Sequence, residues 1–164
     1  MEIKYFDGDL LTSTAPIIMH QCNCLGSMKS GVAKVISEKW PIVNEKYKTY
    51  CENMSSVDLL GSTQVIKVDE NKYVANLFGQ EKYGYNGTKY TSYDAIDKSL
   101  KILVQKMVAN SIDRVAMPYK MSSDRGGADW DVILALVKSA FKDKIRAAIA
   151  LTWGAANEVP LLKQ

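Results

Sequence analysis

The chain holds a single histidine, His20, so any imidazole chemistry has to come from that residue. It lies three residues before Asn23, where the apolar run Ile17-Ile18-Met19 gives way to small and polar side chains. Two stretches, 17–33 and 115–130, share one organisation: an apolar strand, a short loop of small residues, then the start of a helix. Backbone N–H groups at such turns converge on anions and the helix dipole adds attraction, so phosphate can be held without a lysine. Two such loops side by side suit a diphosphate. In open α/β sheets ligands sit at the carboxyl ends of the strands, where both loops fall. Either loop alone is also ordinary turn chemistry.

The elements that must position these residues follow from periodicity. Met1 to Phe6 alternates as a half-buried edge strand, closed by Asp7-Gly8-Asp9, and Ile17–Met19 reads as a short buried strand. Helical spacing begins at Gly31 with Val32, Val35 and Ile36 on one face. Trp40-Pro41 breaks it, and a second helix runs through Val43, Tyr47 and Tyr50. Thr63–Val68 and Tyr73–Phe78, parted by Asp69-Glu70-Asn71, predict an antiparallel pair. Gly79 to Thr91 is long enough for a functional loop. Ser92 caps a helix whose stripe is Tyr93, Ile96, Leu100, Leu103, Val104 and Met107, a core pattern. A strand at Arg114–Met117, a helix from about Asp129 to Phe141 and a doubly buried strand at Ile145–Leu151 complete the set. Strands alternating with helices predict an α/β fold with a mixed sheet between helical layers.

Composition bounds the function. With 164 residues, 47% apolar and 24% charged, one folded domain over 1–164 is the expectation. The formal charge of +3 is spread along the chain, which suits a small anion and gives little support to a nucleic-acid partner. Three cysteines, Cys22, Cys24 and Cys51, with no signal peptide, read as a reduced cytoplasmic protein. No second Cys/His pair completes a zinc site, no metal or organic cofactor is implied, and no apolar run is long enough for a membrane span.

The order of the motifs is more specific than any one of them. Gly8-Asp9-Leu10, His20-Gln21-Cys22-Asn23-Cys24, Ser30-Gly31-Val32-Ala33, Ala75-Asn76-Leu77-Phe78 and Gly126-Gly127-Ala128-Asp129-Trp130 together resemble the macro domain family across nearly the whole chain. The nearest branch is that of the ADP-ribose-1″-phosphate phosphatases of phages, bacteria and yeast. The resemblance implies a three-layer α/β/α sandwich and a pocket for ADP-ribose or a derivative, free or on an ADP-ribosylated target; it leaves the oligomeric state open. Asp9 matches the acidic residue that accepts from the adenine amino group, with the Leu10 backbone beside it, and Asn23 matches the asparagine on the distal ribose. Ser30, Gly31, Val32 and Ala33 match the first phosphate loop. Ser122, Ser123, Asp124, Arg125, Gly126 and Gly127 match the second. Thr152 and Trp153 would line the adenine side of the cleft.

These roles make chemical sense. A carboxylate only accepts and so reads an exocyclic amine; an amide both donates to and accepts from ribose hydroxyls. Each has a plainer reading too: Asp9 as a turn cap, Asn23 satisfying local backbone, Trp153 as packing. His20 is either structural or the acid-base or nucleophilic group at a terminal phosphate, with Asp129 as its carboxylate partner. Asp129 would also be favoured at a helix N-terminus by the dipole alone.

The second loop departs most from the family. Where the branch reads Ile-Gly-Cys-Gly-Leu, this chain has Met121-Ser122-Ser123-Asp124-Arg125, so two glycines become Ser122 and Asp124. Side chains there restrict backbone approach, and a carboxylate facing inward would repel a diphosphate unless Arg125 offset it. Lys29-Ser30 stands where the family prefers glycine or alanine. The lysine and aspartate of the branch that releases ADP-ribose from glutamate align with Gln80 and Gly126, which argues against that mechanism. Three activities remain: hydrolysis of ADP-ribose 1″-phosphate, capture without turnover, or hydrolysis of another ADP-ribose adduct by a bound water, with the Tyr83–Tyr90 segment setting specificity.

Overall fold

The computed structural model describes residues 1–84, 86, 88–123 and 125–151. Six strands, β1 (Glu2–Phe6), β2 (Ile17–Asn23), β3 (Thr63–Asp69), β4 (Lys72–Gln80), β5 (Arg114–Pro118) and β6 (Ala147–Leu151), form one sheet in the order β1-β6-β5-β2-β4-β3. All neighbours pair in parallel except β3, which runs antiparallel to β4. The hairpin is the one predicted from Asp69-Glu70-Asn71.

Helices cover both faces. On one side α4 (Tyr93–Ala109) and α5 (Trp130–Phe141) pack Ile96, Leu100, Leu103, Ile133, Val137 and Phe141 against Ile17, Met19, Leu77 and Met117. On the other, α1 (Gly31–Lys39), α2 (Pro41–Glu52) and the single turn α3 (Ser56–Leu59) bring Ile36, Val43, Tyr47 and Leu59 onto Ile18, Val74 and Phe78. The three-layer α/β/α sandwich follows from this two-sided burial. The sequence pattern explains the caps: the hydroxyl of Ser92 accepts from the Ala95 N–H at 3.2 Å, and Pro41 occupies the first turn of α2, where its missing N–H costs nothing.

β2 runs well beyond the Ile17–Met19 expected. His20, Gln21 and Cys22 continue in register with Asn76, Leu77 and Phe78, because parallel pairing with β4 satisfies their backbone groups whatever their side-chain polarity. This extension carries polar side chains to the carboxyl edge, and alternation sends adjacent ones to opposite faces.

Candidate functional site

A cleft of about 370 Å³ opens at the carboxyl ends of β2, β4 and β5. Its walls are the two loops singled out from the sequence: Asn23, Ser27 and Ser30 to Ala33 on one side, Pro118 to Ser123, Arg125 and Gly126 on the other, with Gln21, Cys22, Gln80, Tyr83 and Gly84 completing it. β2 and β5 are adjacent strands, Ile17 opposite Val115, so the turns that follow them meet.

The first wall is the N-terminus of α1. Ser30 is the extended N-cap and its side chain makes no capping bond. The first-turn N–H groups of the helix have no carbonyl four residues back to bind, so this end presents donors and the positive pole of the dipole to the cleft. Asn23 shapes the approach to it. Its Oδ1 accepts from the N–H of Leu25 at 3.0 Å and of Ser27 at 3.4 Å, while its Nδ2 donates to the Ser27 carbonyl at 2.9 Å. The Tyr47 hydroxyl lies 2.9 Å from Oδ1 and 2.5 Å from the Asn23 carbonyl. The amide thus holds its own loop, as the plainer reading had it, and keeps only Nδ2–H capacity for a ligand.

The second wall turns through two left-handed residues that are not glycine, Lys120 (φ 57°) and Ser122 (φ 68°). Alternating backbone hand is how successive N–H groups are made to converge on an anion. Lys120 and Arg125 add two cationic side chains to this wall. Thr91 and Tyr90 tie the loop down, both donating backbone N–H to the Gly126 carbonyl, at 3.0 and 2.9 Å.

His20 lies elsewhere. One position before Gln21, it points to the opposite face of the sheet, is wholly buried, and does not line the cleft. Its Nε2 is 2.6 Å from Asn76 Oδ1; Asn76 in turn donates to Gln64 Oε1, which leads to the Lys46 carbonyl in α2. Burial lowers its pKa from 6.5 to about 4, the Asn76 bond opposing this weakly. The expected pairing with Asp129 is also not formed. Asp129 is exposed, caps α5 by accepting the Asp131 N–H at 2.9 Å, and does not line the cleft. Strand alternation separates the two residues, and His20 meets the cleft only through the side chain of Cys22, whose Sγ lies 3.5 Å from its Nε2.

Cys22 does line the cleft, but burial pushes its thiol well above the ordinary range, and Cys24 rises to about 11 for the same reason, so neither supplies a thiolate. Among the described residues no His, Cys, Asp and Glu cluster converges as a metal site requires. No helix among them is long and apolar enough to cross a membrane.

Asp9 stands at the same sheet edge, following β1, but its Oδ1 accepts from the Leu11 N–H at 2.9 Å and caps the 3-10 turn Leu10–Thr12; Leu10 is fully buried. Neither is part of the described lining. Asp124, Thr152 and Trp153 lie outside the described residues. Gly127 is described but contributes no lining; Gly126 does. Lining residues that sequence reasoning passed over include Gln21, Ser27, Tyr119 and Lys120. The signal for Gln21 was available in the alternation with His20: one of the two had to face the loops.

Residues 19–137 match the Macro domain family model. The chain belongs to the macro domain family. Among curated macro domain relatives, an ADP-ribose 1″-phosphate phosphatase of Lodderomyces elongisporus is 32% identical over 146 residues, covering 80% of this chain and 88% of that protein. One of Candida albicans is 32% identical over 142 residues, covering 79% and 87%. In fold, the chain is similar to the macrodomain of Mycobacterium tuberculosis DarG, with a TM-score of 0.77, 22% identity, and 93% and 99% of the two chains covered. The likeness to the solved macrodomain extends over nearly the whole fold described above.

Proposed function

We propose that the cleft binds ADP-ribose and that the protein hydrolyses ADP-ribose 1″-phosphate to ADP-ribose and phosphate. The observation that carries this reading is the meeting of two anion-receiving turns, the α1 N-terminus and the Lys120–Ser122 turn, on adjacent strands β2 and β5. That spacing suits the two phosphates of a diphosphate. The named activity of the yeast relatives supports the same substrate.

For the hydrolysis, water adds to phosphorus as the bond to the anomeric oxygen breaks. Such transfers need positioning and charge stabilisation more than covalent chemistry from the protein. Lys120 and Arg125, the cationic side chains of the described lining, supply the charge that this step calls for. Gln80, which aligns with the lysine of the glutamate-cleaving branch, carries no basic group, and its amide is taken up by Gln21 at 2.6 Å and the Lys82 carbonyl at 2.7 Å, which argues against that route.

A second reading, capture of ADP-ribose or of an ADP-ribosylated target without turnover, is favoured by the burial of His20 away from the cleft. Calorimetric titration with ADP-ribose, followed by incubation with ADP-ribose 1″-phosphate and assay of released phosphate, separates the two. Binding with release supports the phosphatase, binding without release leaves the capture module, and no binding overturns both.

A further inference from the structure

Ser122 holds a left-handed backbone, φ 68°, where the resembling branch uses glycine. A serine adopts this region at a cost, and something must keep it there. Its hydroxyl donates to Gln21 Oε1 at 2.7 Å, across 101 residues of sequence. Gln21 is otherwise fully engaged: Nε2 donates to Gln80 Oε1 at 2.6 Å and to Thr91 Oγ1 at 2.8 Å. One amide therefore joins the ends of β2 and β4, the loop before α4 and the second wall of the cleft.

The surroundings are shaped to this amide. A Cβ on Gly79 would stand 2.4 Å from Gln21 Oε1, and one on Gly126 would stand 2.9 Å from Nε2 and 2.5 Å from the Ser122 carbonyl. Ile96 Cδ1 would meet the Gly79 Cβ at the same 2.4 Å and Thr91 Oγ1 would meet the Gly126 Cβ at 2.5 Å, so both glycines stay bare in a space that Gln21 fills together with Ile96 and Thr91.

We propose that Gln21 is a positioning residue that holds Ser122 left-handed and so keeps the second loop in its anion-receiving form. This rests on the reading of the cleft as an ADP-ribose site. Both amide hydrogens are spent within the protein, and the amide acts on the loop through Ser122. Serine in place of glycine makes the loop dependent on a partner that a glycine would not need.

The test compares Gln21→Met, which keeps volume and removes the hydrogen bonds, with Ser122→Ala, Ser122→Gly and the Gln21→Met/Ser122→Gly double variant. The measurements are calorimetric affinity for ADP-ribose and amide hydrogen exchange over 119–128. Gln21→Met should bind about tenfold more weakly and exchange faster in that segment, as the loss of a hydrogen-bonded tie implies. Adding Ser122→Gly should restore most of the affinity, because glycine takes the left-handed turn unaided. Ser122→Ala, which keeps the strain and loses the tie, should bind more weakly than Ser122→Gly, and this comparison stands even if Gln21→Met fails to fold. Wild-type affinity and exchange in a folded Gln21→Met, or equal affinities for Ser122→Ala and Ser122→Gly, overturns the proposal. Should the wild-type protein not bind ADP-ribose, the ligand reading fails by itself, and exchange over 119–128 still decides the role of Gln21: rates unchanged by Gln21→Met and by Ser122→Ala overturn it.

Discussion

His20 and Asn76 face each other across β2 and β4 with Nε2 2.6 Å from Oδ1, and neither is exposed to solvent. A neutral imidazole suits this site; a charged one does not. The unfolded chain takes up a proton near pH 6.5, the folded chain only near 4. Between those values the unfolded state binds more protons. Stability is therefore complete above pH 6.5 and falls as the pH drops toward 4, by up to about 1.4 kcal/mol per pH unit, levelling once the folded state itself protonates. Thermal melts from pH 7.5 to 4.5 should show this slope, and His20→Gln should flatten it, since the chain has no other histidine. An unchanged slope in His20→Gln would assign the acid sensitivity to carboxylates instead.

The same burial predicts what His20→Ala does to function. Removing the imidazole leaves Asn76 Oδ1 with a lost partner in a dry site, costing about 1–3 kcal/mol of stability. Affinity for ADP-ribose, measured by calorimetry well below the melting temperature, should stay within about threefold of wild type, a change of under 1 kcal/mol. A specific loss of phosphate release with stability intact would return His20 to the chemistry.

Ser30 is the N-cap of α1 and its side chain makes no capping bond to the helix, so Ser30→Asp tests the first anion site. A carboxylate there should stabilise the helix by about 0.3–1 kcal/mol through the dipole and its N–H groups. It should also compete with phosphate, weakening ADP-ribose by about tenfold, an effect that shrinks as salt screens the charge. Stability and affinity should move in opposite directions. Parallel movement would show that the helix end is not a ligand site.

Gly126 has no room for a side chain: a Cβ would meet the Ser122 carbonyl and Thr91 Oγ1 at 2.5 Å. Gly126→Ala should cost about 1–3 kcal/mol in chemical denaturation and displace the second loop. ADP-ribose binding should fall with it. A variant of wild-type stability would mean that the loop yields easily.

Arg125 lines the cleft and is exposed. If it meets the terminal phosphate, Arg125→Ala should reduce phosphate release from ADP-ribose 1″-phosphate by about tenfold or more, as the loss of a charge-assisted contact predicts, while ADP-ribose affinity changes less. Equal losses for both ligands would place Arg125 on the diphosphate.

The three-layer fold was legible in the chain because burial period is a local property. Alternation marks β1, the 3.6-residue stripe from Ile96 to Met107 marks α4, and Ser92, Pro41 and Asp129 announce helix starts through backbone chemistry that acts within a turn. The two strand-to-helix turns that wall the cleft were legible for the same reason. α3 escaped notice because a four-residue helix is held by its Ser55 cap and packing, with too few residues to show a period.

What only the tertiary structure decided is which side chains meet. His20 and Gln21 are neighbours in sequence and equally polar, and alternation says only that they part; the parallel register with β4 and the layer above each face determine that His20 is sealed beneath α2 while Gln21 reaches Ser122. Asp129 belonged to the cleft by motif, yet the short-range bond to the Asp131 N–H holds it at the head of α5. Ser122 takes a left-handed turn and its hydroxyl meets a glutamine 101 residues away, a contact that no local pattern announces. Local pattern specifies elements and turns, whereas contacts between elements depend on register and packing that no single segment encodes.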